Sequence, residues 1–137
     1  AEFELRMGEL SAQGETLTAD LLSREYRALN EAYFGPDMVS DDQIALEWSR
    51  IPHFYYNYYV FQYATGYSAA IALSRRILQE GEPAVKDYLE FLSGGCSKDP
   101  IDLLKGAGVD MASPEPIQAA LDLFDTLLDE MEQLMEG

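Results

Sequence analysis

The residues best suited to chemistry lie in one stretch, Arg50-Ile51-Pro52-His53-Phe54-Tyr55-Tyr56-Asn57-Tyr58-Tyr59-Val60-Phe61-Gln62-Tyr63-Ala64-Thr65-Gly66-Tyr67. It holds the chain's single histidine and six of its nine tyrosines, at 55, 56, 58, 59, 63 and 67. A core needs apolar volume, but not this many phenol hydroxyls, because each buried one must find a hydrogen-bond partner. A neutral phenol donates a hydrogen bond without carrying charge, and an imidazole near neutral pH can donate one or change protonation state. Such groups together can bind a peptide carbonyl, or the oxyanion it becomes when attacked. Read as one helix from about 53 to 80, the stretch places Tyr56, Val60, Tyr63 and Tyr67 on one face, with His53 a turn earlier. Tyr55, Tyr58, Tyr59 and Gln62 then point elsewhere. A second reading stays open on the residues alone. The tyrosines can pack a core and send their hydroxyls to backbone or water, with His53 a satisfied core or capping residue.

No complete catalytic set accompanies them. There is no His-Glu-x-x-His, no Gly-x-Ser-x-Gly and no phosphate-binding Walker loop. Cys96 has only the distant His53 as a dyad partner, and reads as a buried or loop cysteine. One Cys and one His cannot supply a zinc-ligand cluster. A metal site built from this chain alone would rest mainly on carboxylates, so no metal ligand is assigned. Gly94-Gly95 reads either as a loop that lets backbone amides approach a substrate or as plain turn chemistry. The acidic pairs Asp41/Asp42 and Glu130/Glu132 read as caps and solvated faces.

The elements that would position these residues are helical nearly throughout. No window shows sustained period-two alternation. The expectation is an all-α fold, a multi-helix bundle forming a single helical domain over residues 1–137. A first helix over 1–13 ends at Gly14; it has no N-cap and no initiator Met, and reads as the continuation of a longer protein. Thr16 or Thr18 caps a helix through about Tyr33, stopped by Gly35-Pro36. Ser40 followed by Asp41-Asp42 suggests the next N-cap, and Pro52 interrupts that helix. The long helix from 53 ends at Gly81, and its slim middle (Ala64, Gly66, Ala69, Ala70, Ala72) invites close approach by another helix. Short helices follow from Pro83 and from Asp99-Pro100, with Gly94-Gly95-Cys96-Ser97 a loop between them. Ser113-Pro114 opens the last helix, with Ser as N-cap and Pro at N1. Its stripe is Ile117, Leu121, Phe124, Leu128, Met131 and Met135, and it is expected to pack along the long one.

Composition narrows the partners. The 137 residues carry a net charge of −16, with a pI near 4.1. Nucleic-acid binding needs a basic surface, and anionic lipid repels an acidic one, so neither is an expected partner. No apolar run approaches the roughly 20 residues that span a bilayer. The lone Cys96 and the absence of a visible signal peptide suggest a cytoplasmic, reducing setting.

The string from Glu47 to Gly66, Glu47-Trp48-Ser49-Arg50-Ile51-Pro52-His53 and onward through the tyrosines, closely resembles the C-terminal catalytic region of oligoendopeptidase F. That family comprises zinc metallopeptidases related to thimet oligopeptidase. Ser93-Gly94-Gly95, the run Pro100-Ile101-Asp102-Leu103-Leu104-Lys105-Gly106-Ala107-Gly108-Val109-Asp110-Met111, and Ala1-Glu2-Phe3-Glu4 are similar to the same family. The resemblance spans essentially the whole chain.

The resemblance implies a zincin-type helical catalytic domain that hydrolyses internal bonds of short peptides. In the family the zinc is held by two histidines of a His-Glu-x-x-His helix and a later glutamate. None of these is present here, so the chain reads as the segment just after the metal site. It would be inactive and zinc-free alone, with zinc the cofactor of a longer parent. The family places a histidine and tyrosines of this region opposite the metal, on the oxyanion. The implied catalytic residues are His53, Tyr56 and Tyr63. Tyr59, Tyr67, Gly94 and Gly95 are the implied substrate contacts. Val60 stands where thimet-type relatives carry a further aromatic, so a three-tyrosine clamp is not implied. Expected partners are short peptides and the remainder of the parent catalytic domain, with self-association through surface that the remainder would cover. The alternative is a non-catalytic acidic helical module that binds peptides or partner helices through its aromatic face.

Overall fold

The computed structural model describes residues 1–136, and among these it contains helices and no strand, as expected. The chain forms two compact units, Ala1–Gln62 and Tyr63–Gly137.

The first unit is built on α1 (Glu2–Ala12) and α2 (Ala19–Phe34). Thr18 caps α2, its Oγ1 accepting from Leu21 N at 3.2 Å, which satisfies one of the amides that a helix start leaves without a partner. Ser40 does not cap the next element; its hydroxyl donates to Asn30 Oδ1 at 2.7 Å. The element is a 3₁₀ helix, Ile44–Arg50, with Gln43 at its N-cap position, and Asp41 Oδ1 accepts from Ile44 N at 2.8 Å just ahead of it. A second 3₁₀ turn, Pro52–Tyr55, follows.

Phe3 organises the core of this unit. It is 4% exposed and meets Tyr26, Phe54 and Trp48 at ring-centroid distances of 5.1, 5.1 and 6.4 Å. Tyr26 and Phe54 meet it edge-on, which suits the ring quadrupoles. Polar ends are satisfied around it. The Tyr26 hydroxyl donates to Glu47 Oε2 at 3.1 Å, Glu47 also pairs with Arg50, and Trp48 Nε1 donates to Ser23 Oγ at 3.2 Å.

The long helix differs from the expectation. It is α3, Phe61–Glu80, and does not start at His53. The reason lies in the backbone between. Asn57 and Tyr58 have φ of 50° and 62°, a left-handed conformation that no right-handed helix can pass through.

In the second unit α3 is followed by α4 (Glu82–Ser93), α5 (Pro100–Gly106) and α6 (Glu115–Glu136). Ala69, Leu73, Ala107 and Val109 form the core, with Tyr88, Phe91 and Leu104 packed against it. The slim face of α3 lines an apolar cleft of about 420 Å³ with Tyr88, Phe91 and Leu104. Arg76 ties the unit together, donating to Glu80 at 3.0 Å, Asp87 at 2.8 Å and the Ala107 carbonyl at 2.5 Å. Gly108 beside it has φ of 82°, and a Cβ there would overlap the Arg76 guanidinium.

The opening of α6 is also corrected. The helix begins at Glu115, and the Pro114 carbonyl accepts its first bond, from Gln118 N at 2.9 Å. Ser113 is therefore one residue too early to be the cap. Nor does α6 pack along α3. Its first turns meet α3 through Arg75, which donates to the Ala119 carbonyl at 3.0 Å, while Leu121, Phe124, Met131 and Met135 are exposed.

Candidate functional site

Three of the residues singled out come together in the first unit. The His53 and Tyr59 rings stack at 5.7 Å with an interplanar angle of 26°, and Tyr56 stands edge-on to both, at 5.9 and 6.1 Å. Their placement follows from local sequence. Pro52 starts the 3₁₀ turn, His53 follows it, and Phe54 drops into the Phe3–Tyr26 cluster. That anchor leaves the neighbouring rings outside. Tyr56 is 57% exposed and Tyr59 38%. Neither ring is buried by the rest of this chain. The left-handed pair Asn57-Tyr58 reverses the chain and brings Tyr59 back onto His53.

Helical spacing does not relate Tyr56 to Tyr63, since no helix joins them. Tyr63 and Tyr67 do lie four residues apart on α3, hence on one face, and both are exposed. Tyr58 points away from the cluster, its hydroxyl lying over Gly8 of α1. Gly94 and Gly95 lie in the second unit, in the turn after α4. A side chain on Gly94 would meet Leu103 Cδ2 at 2.7 Å, so α5 packs closely against this turn. Cys96 is exposed.

The donors fit a neutral or anionic oxygen. Among the described residues no three His, Cys, Asp or Glu side chains converge to hold a metal ion. The residues present do not fit a zinc site. No helix among the described residues is long and apolar enough to cross a membrane.

Sequence reasoning missed Glu4. It was legible only as a first-turn acid, yet it is 4% exposed, with one carboxylate oxygen on the Val60 amide and the other without a hydrogen-bond partner. The available signal was its position between Phe3 and Leu5, four residues before Gly8 on the same helix face.

The chain is similar to known peptidases over nearly its whole length. Residues 1–123 match the model of Peptidase family M3. The chain is 62% identical over 135 residues to oligopeptidase PepF of Bacillus subtilis (strain 168), covering 98% of this chain and 20% of that protein. It is 43% identical over 136 residues to the chromosomal oligoendopeptidase F of Lactococcus lactis subsp. cremoris, covering 99% and 23%. The crystal structure of oligoendopeptidase-F from Enterococcus faecium superposes with a TM-score of 0.87 at 46% identity, over 98% of this chain and 26% of that one. The chain thus spans about a fifth to a quarter of the length of these relatives.

Proposed function

The chain belongs to Peptidase family M3, and from that premise we propose that it is the C-terminal subdomain of an oligoendopeptidase catalytic domain. Its task is to hold a peptide carbonyl and stabilise the oxyanion formed when that carbonyl is attacked. The observation that carries the reading is the His53–Tyr56–Tyr59 cluster, in which two exposed phenols gather around a half-buried imidazole. His53 and Tyr56 act as hydrogen-bond donors to the developing negative charge. Tyr63 is proposed as a further donor of the same kind. Tyr59 and Tyr67, with Gly94 and Gly95, contact the rest of the peptide.

Family M3 peptidases are zinc-dependent in general. For this protein zinc would be held by residues outside this chain, so the segment alone is expected to bind none tightly and to cleave nothing. Short peptides and the remainder of the catalytic domain are the proposed partners, and a net charge of −16 disfavours nucleic acid and anionic membrane surfaces. We infer a cytoplasmic setting, and self-association of the segment through its exposed α6 face.

The test is made in the longer polypeptide that carries this chain. Tyr63→Phe should lower kcat more than it raises KM, because a donor used only in the transition state leaves substrate affinity nearly unchanged. Loss of one such donor typically costs about 10²–10³ in rate. Tyr56→Phe should behave alike, and His53→Ala at least as severely. Tyr58→Phe, whose phenol faces Gly8, should stay within about threefold of wild type. Near-normal kcat in Tyr56→Phe and Tyr63→Phe, with loss in Tyr58→Phe, would require the site to be rebuilt around other residues.

A further inference from the structure

Two residues of α1 grip the segment that follows His53. The Glu4 side chain is buried, its Oε2 accepts from Val60 N at 3.2 Å, and its Oε1 has no hydrogen-bond partner. Burying a carboxyl with one oxygen unsatisfied is costly, so the Val60 contact is kept against an opposing free energy. One helical turn on, Gly8 lies beneath Tyr58. A Cβ on Gly8 would overlap the phenol oxygen and stand 3.0 Å from Cζ. Between these two grips the backbone passes through Asn57 and Tyr58 at positive φ. Each L residue held there costs about 1–2 kcal/mol, and such a conformation persists only where its surroundings impose it. Val60 also stands immediately before α3, whose first turn contains no acidic residue of its own. A carboxyl supplied from α1 therefore meets an amide that the helix start leaves unpartnered, at the positive end of its dipole.

We propose that Glu4 is a positioning residue for the candidate site: seated on the Val60 amide, it fixes the Asn57–Tyr58 reversal that returns Tyr59 to His53 and sets where Tyr56 stands. This rests on the function proposed above and deepens it. Glu4 touches no reacting atom. It acts through the backbone.

The experiment compares Glu4→Gln, Glu4→Asp and Glu4→Ala in the longer polypeptide, with His53→Ala in parallel. Gln keeps the length and an oxygen to accept from Val60. Asp keeps the charge but withdraws the oxygen by one methylene. The expected result is kcat within about threefold of wild type for Gln, and lowered roughly ten- to a hundredfold for Asp and Ala, with KM little changed. Displacement of a site group by about 1 Å can cost that much. Hydrogen exchange at the Val60 amide should be protected in wild type and Gln and accelerated in Asp and Ala. Should Ala fail to fold, the Asp–Gln contrast still decides. A merely structural role would lower melting temperature while leaving kcat per folded molecule unchanged. That result, or a Gln variant as damaged as Asp, would overturn the proposal. Full activity in His53→Ala would instead overturn the proposed function, whatever Glu4 does.

Discussion

Gly8→Ala tests whether α1 and the Tyr58 turn are locked together, because two opposing effects of known size meet at one methyl group. Gly8 is interior to α1, where alanine in place of glycine is worth about 1 kcal/mol in helix stability. Against this, the new methyl occupies the space of the Tyr58 hydroxyl, and the phenol must swing out. Tyr58 is 45% exposed, so a little over half of its surface is covered now. Aromatic side chains bury about 150–250 Å² when covered, so roughly 100 Å² would return to water. At about 25 cal/mol per Å² that is about 2.5 kcal/mol, and a compact unfolded state trims it toward 2. The net effect of Gly8→Ala should be destabilisation by about 1 kcal/mol. In a Tyr58→Ala background the obstacle is gone, and the same substitution should stabilise by about 1 kcal/mol, a coupling near 2 kcal/mol. Trp48 is the single tryptophan and lies in the first unit, so its fluorescence follows urea unfolding of that unit alone. With a slope of about 1–3 kcal/mol per molar urea, a change of about 1 kcal/mol moves the midpoint by roughly 0.3–1 M. The change of sign between backgrounds is the decisive reading. If Gly8→Ala stabilises equally in both, Tyr58 does not rest on Gly8, and α1 does not fix the turn beside His53.

Burial first, and then the hydrogen bond to Glu47, raises the Tyr26 phenol above its ordinary value of about 10. The unfolded phenol therefore ionises before the folded one. Its contribution is complete below about pH 10 and is lost as pH rises through the folded value. Trp48-monitored stability should fall in that window, and Tyr26→Phe should flatten the fall while costing about 1 kcal/mol at pH 7; an unchanged alkaline slope would refute it. In the second unit, Arg76→Met should destabilise by about 2 kcal/mol, since it strands the carbonyl of Ala107, a residue only 1% exposed. Gly108→Ala should cost at least as much, adding a positive φ to an overlap with the guanidinium. Circular dichroism during thermal unfolding reads both, and wild-type melting in either variant would remove Arg76 as the tie of that unit.

Local signals determined most of the helices. Thr18, Gly81 and the prolines after Gly81 and Asp99 act through bonds and dihedrals within a few residues, so the starts and stops of α2, α4 and α5 were legible without a neighbour. The family was legible too, because a resemblance of side-chain order needs no geometry. The errors fall where a distant segment outvotes local preference. From 53 to 60 the periodicity suits a helix, but Phe54 gains more by entering the Phe3–Tyr26 cluster, and Glu4, 56 residues from Val60, holds the amide that follows. Those contacts bend the chain through positive φ and convert a predicted helical face into a stacked ring cluster. The stripe of α6 shows the converse. The sequence specifies an amphipathic helix completely, through spacing alone, but not what covers it, and in this chain Leu121, Phe124 and Met135 stay exposed. Periodicity is a property of one segment, whereas burial belongs to two. The residue types able to bind an oxyanion could therefore be read from the chain, while their relative placement waited on which distant side chains the fold set against them.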